Sequence, residues 1–75
     1  MLNVHGSTEA LQQVEAECLA KFRSKAAALR AATPGLSRPI AFAKAVEALP
    51  KTAGRYNSAR MFLTARGVAG LPLEV

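Results

Sequence analysis

No aspartate or tryptophan occurs among the 75 residues, and histidine and cysteine appear once each. These scarcities exclude much chemistry. A metal centre needs several ligands at set spacings, and no such set can be assembled from His5, Cys18 and five scattered glutamates. Cys18 falls on an apolar helical stripe, where a buried, inert thiol is expected rather than a nucleophile. Gly67 and Gly70 do not make a phosphate loop, since no strand precedes them and no Gly-Lys-Ser/Thr follows. No catalytic residue, cofactor or metal is therefore expected, and the chain reads as a non-enzyme. A single cysteine permits no internal disulfide, so a cytoplasmic setting is expected. No apolar run approaches the roughly 20 residues of a membrane span, and "MLNVHGSTEA" has no signal-peptide pattern.

Large apolar side chains are also few. Aromatics make up 5% of the chain: Phe22, Phe42, Phe62 and Tyr56. Alanine supplies much of the 51% hydrophobic content; it favours helix but buries little area. A chain of this size forms one domain, 1–75, and buries only about 60% of the surface its unfolded form exposes. So small a core is often completed by a partner or a second copy.

What is present is helical patterning with clear punctuation, and it predicts an all-α fold of three helices. Residues 1–6 are a lead-in. Ser7 or Thr8 caps a long helix running to about Ala32, with Glu9 in its first turn. Leu11, Val14, Cys18, Phe22 and Leu29 recur at helical spacing, with Ala26 filling the gap and Leu19 widening the stripe. Its acids precede its bases, as the helix dipole favours. "TPG" at 33–35 then stops the helix, because Thr33 precedes a proline and Gly35 allows a positive φ. Ser37 caps a second helix with Pro39 in its first turn. That helix spans about Arg38–Leu49, with Ile40, Ala43, Val46 and Leu49 inward and Phe42 beside them, and Pro50 ends it. Thr52 is the expected cap of a third helix reaching about Arg66. Tyr56, Ala59 and Leu63 form its inward face, with Phe62 adjacent. Gly67 closes it in a Schellman stop, with Val68 against Leu63. Residues 67–75 form an apolar tail, whose Leu71, Leu73 and Val75 are expected to pack on Ile40, Phe42 and Val46.

The remaining signal is charge. Ten Lys and Arg against five Glu give a net charge of +5, which favours an acidic partner, DNA or RNA included. Lys51, Arg55, Asn57, Arg60 and Arg66 on or beside the third helix are the candidate binding residues, joined by Ser58 and Thr64. In a helix-turn-helix reading, Arg would read guanine, Asn adenine, and the terminal cations phosphate. A second expectation is a homodimer or other protein–protein module, with Leu11, Val14, Phe22 and Leu29 at the contact.

Residues 26–50, "AAALRAATPGLSRPIAFAKAVEALP", carry Pro34, Leu36, Ser37, Ala41, Phe42, Ala43 and Lys44. This segment, a third of the chain, resembles one found in helical phage and prophage proteins, where an alanine-rich helix precedes a Pro, a Leu-Ser cap and an Ala-Phe-Ala-Lys helix. It departs from them at Arg38-Pro39-Ile40, where acidic or amide residues are usual. The resemblance implies a phage-type accessory protein and carries over no site residue.

Overall fold

The structure, a computed structural model, describes residues 7–71. Three helices account for most of them: α1 (Thr8–Ala32), α2 (Arg38–Ala48) and α3 (Pro50–Ala65). The all-α, three-helix expectation holds. No strand occurs among the described residues.

Each end of α1 is set by local chemistry. The Ser7 hydroxyl accepts from the Ala10 amide at 3.1 Å, satisfying one of the orphan donors at the helix start. At the other end Thr33 is extended, Gly35 adopts φ +85°, and the Arg30 Nε donates to the Leu36 carbonyl at 3.3 Å. The chain thus reverses within five residues. Ser37 then caps α2, its hydroxyl accepting from the Ile40 amide, with Pro39 in the first turn.

The junction between α2 and α3 does not reverse the chain. α2 and α3 are separated by Leu49 alone, which is C-cap of one and N-cap of the other at φ −123°, ψ 65°. Pro50 begins α3 instead of merely ending α2, and Thr52 lies inside the first turn, not at the cap. Proline's fixed φ suits the first helical position. Leu49 makes no side-chain cap bond; its side chain packs into the core instead.

The result is a two-layer hairpin whose return arm is broken once. α1 packs against both other helices, which touch each other little. At 1.5 Å per residue α1 is about 37 Å long and α2 plus α3 about 40 Å, so the arms match. The core is a single thin layer in three parts. Leu11 meets Ala59 and Leu63, with Val14, Phe62 and Val68 around them. Cys18, Leu19 and Phe22 meet Phe42, Val46, Leu49, Ala53 and Tyr56 at the joint. Ala26 meets Ala41 and Ala45, flanked by Leu29 and Leu36. Phe22 bridges the broken arm, edge-on to Phe42 of α2 at 5.7 Å and to Tyr56 of α3 at 6.0 Å.

Two expectations about packing are corrected. The inward face of α2 is centred on Ala41 and Ala45, both fully buried, whereas Ile40 is 53% exposed and Ala43 is exposed. The distance between packed helices depends on the side chains at the contact, and the Ala26–Ala41–Ala45 contact puts small residues on both helices. The tail also takes another path. After the Gly67 turn (φ +76°), Val68 joins the Leu11–Ala59–Leu63 cluster, and the Leu71 amide reaches Glu15 of α1. It therefore folds over α1 and α3, not over α2 and α3. Leu73 and Val75 lie outside the described residues.

Candidate functional site

The candidate binding residues radiate from α3, and helix geometry separates them. At 100° per residue, Lys51, Arg55, Ser58 and Phe62 share one flank of the inward Ala59–Leu63 line, Arg60 lies on the other, and Asn57 points outward. The side-chain contacts agree with this division.

Arg60 belongs to the fold. One guanidinium nitrogen donates to Glu15 Oε1 at 3.2 Å; the other donates to the Thr64 hydroxyl at 3.1 Å and the Val68 carbonyl at 3.0 Å. Its side chain is only 19% exposed and that of Glu15 only 1%. The second Glu15 oxygen accepts from the Leu71 amide at 3.0 Å. A buried carboxylate is tolerable only when paired and hydrogen-bonded, and both of its oxygens are engaged. Arg60 was expected on the exposed binding surface; it is instead the clasp that holds the tail against α1. Sequence reasoning overlooked Glu15 because its charge fitted the acidic first half of α1. The signal was its spacing: 11, 15, 18 and 22 are one helical stripe, so residue 15 had to face inward.

Arg66 is the C-cap residue of α3 and donates to the Thr8 hydroxyl at 3.3 Å. Asn57 is exposed, away from the other candidates. Lys51 and Arg55 do come together, one turn apart on the open flank. Arg55 approaches Glu17 at 3.9 Å with both side chains about half exposed, a contact of little energetic weight. Lys51 has no ion pair or hydrogen bond among the described residues.

These two cations stand on the rim of a groove of about 560 Å³ between α1 and α3. Leu11, Val14, Ala59 and Phe62 give it an apolar floor, and Gly54 and Ser58 leave the α3 side low. The groove is open to solvent, and among the described residues no tail residue lines it. Among the described residues, the α1–α3 seam is thus covered by the tail along the Glu15–Arg60 side and uncovered along the Lys51–Arg55 side.

No family model, curated protein or solved structure matches the chain.

Cys18 and Tyr56 sit beside this seam. Burial pushes the Cys18 thiol above its ordinary value of 9.0, against an opposing pull from Arg55 and Lys21. Burial, aided by the Glu15 charge, likewise raises the Tyr56 phenol above 10.0. Both shifts favour the neutral form. Among the described residues no group of three or more His, Cys or Glu is placed to hold a metal ion, and no helix is long and apolar enough to cross a membrane. Of the residues expected at an oligomer contact, Leu11 and Phe22 are buried within the chain, while Val14 and Leu29 are half-buried.

Proposed function

We propose that this chain acts by binding rather than catalysis, docking an acidic partner on the Lys51–Arg55 flank of α3. The observation that supports this most directly is the contrast among the cations of α3. Arg60 is engaged by the fold, whereas Lys51 and Arg55 border an open groove with at most a weak acid partner. With a net charge of +5, an acidic surface is drawn to that rim. In the setting that the phage-type resemblance implies, the chain is an accessory protein. The alternative, a homo-oligomeric module, would use only part of the face expected, because Phe22 is covered within the chain whereas Leu11 and Val14 line the groove.

Fluorescence anisotropy with labelled acidic ligands (a DNA duplex, a single-stranded RNA and a glutamate-rich peptide) tests the reading. Binding by at least one at low salt is expected. Lys51→Glu with Arg55→Glu should weaken it at least tenfold, while Lys44→Glu on α2 should change it little. An absence of binding by all three at low salt, or equal sensitivity to Lys44→Glu, refutes the site.

A further inference from the structure

We infer that the open side of the α1–α3 seam receives an acidic amphipathic helix from a partner protein. This rests on the binding reading above and names its class of partner.

The floor of the groove is the first ground. Leu11, Val14, Ala59 and Phe62 are apolar, and the phosphate backbone of a duplex, which dominates nucleic-acid affinity, has nothing to place there. The second ground is Gly54. A glycine inside a helix is less favourable than alanine by up to about 1 kcal/mol. A Cβ added at Gly54 would meet no atom within 4 Å, so among the described residues no neighbour requires its absence. With Ser58 one turn on, it leaves the α3 backbone open to close approach, as helices packing at about 8 Å require. The third ground is length and charge. From Lys51 to Phe62 the groove runs about 16 Å, three helical turns, which is long enough to hold i, i+4 and i+7 anchors spanning about two turns. It is also polarised. Lys51 and Arg55 stand at one end, while Phe62 and the Leu11 cluster lie at the other. The complementary helix carries carboxylates at one end and apolar side chains about two turns further on. A second copy of this chain would bring another net charge of +5 to the same rim, which opposes it as the occupant.

The test is a display selection of randomised 16-residue peptides on the full chain. The best binder is then measured by anisotropy against wild type, Gly54→Leu, and Lys51→Glu with Arg55→Glu, with circular dichroism confirming that each variant is folded. Enriched sequences with apolar residues at helical spacing and acids toward one end are expected. Affinity should fall at least tenfold in Gly54→Leu, which fills the groove, and at least tenfold in the charge variant. Replacing the apolar anchors of the peptide by serine should abolish binding. The inference is overturned if enriched peptides lack this pattern, or if Gly54→Leu binds them as wild type does. Duplex binding without peptide enrichment overturns it while sparing the acidic-partner reading; binding of neither at low salt overturns both. A dimer in sedimentation that Gly54→Leu dissociates assigns the groove to a second copy and also overturns it.

Discussion

Glu15 shows how one side chain can be both a cost and a constraint. Its carboxylate is desolvated, and Arg60 and the Leu71 amide compensate it. Removing one partner of a buried ion pair leaves the other uncompensated, so Glu15→Ala should destabilise the chain by about 3 kcal/mol, read by urea denaturation. Replacing both partners by Met is expected to be near neutral in stability. That double variant should nonetheless speed amide exchange at Leu71, because its acceptor is gone. Cys18 and Tyr56 give a pH prediction. Their folded-state pKa values lie above the ordinary 9.0 and 10.0, so the unfolded chain releases its protons first. Stability is then unaffected by these groups below about pH 9 and falls as the pH rises beyond it. Thermal melts from pH 7 to 10.5 should show this decline, and Cys18→Ala should blunt its onset. The thiol should also resist alkylation at pH 8 until the protein is denatured.

At the scale of the element, Phe22 matters most, because it touches both halves of the broken arm through aromatic contacts. Phe22→Ala should cost about 3–5 kcal/mol. Domains of this length are stable by roughly 4–11 kcal/mol at 0.05–0.15 kcal/mol per residue, so a measurable unfolded fraction at 37 °C is expected by circular dichroism. Helix boundaries governed by local rules were legible in the sequence. Ser7, Ser37, Thr33-Pro34-Gly35 and Gly67 each act on their own backbone, and α1 and the Gly67 stop fall where those residues put them. Boundaries decided by packing were not legible. Leu49 serves as a cap without a capping side chain because the core takes it, and Ala41 takes the inward position expected of Ile40 because small residues meet at that crossing. The candidate site was half legible. Lys51 and Arg55 were visible as cations on or beside the third helix, but their shared flank appears only in the structure, and the removal of Arg60 from that set depends on Glu15, 45 residues away. The groove itself exists only once α1 and α3 are side by side.

As a whole, the molecule is long and thin, 51 × 20 × 14 Å, with a core one side chain deep. Gly54→Ala, which adds a methyl group facing open space, should raise stability by up to about 1 kcal/mol in the same urea assay. The start of α1 and the end of α3 lie side by side, tied by Arg66 to Thr8 and by Leu71 to Glu15, while the 33–37 turn lies at the far end. That placement has a mechanical consequence. Tension applied between the two termini does not shear the helices past one another but peels them apart like a zipper, loading one contact at a time. The ties at the ends, Arg66–Thr8 and the Glu15–Arg60–Leu71 clasp, bear the load first, the Phe22 joint next, and the Ala26–Ala41–Ala45 crossing last. In an optical trap the chain should open at low force and in steps, with the first step abolished when Glu15 and Arg60 are both replaced by Met.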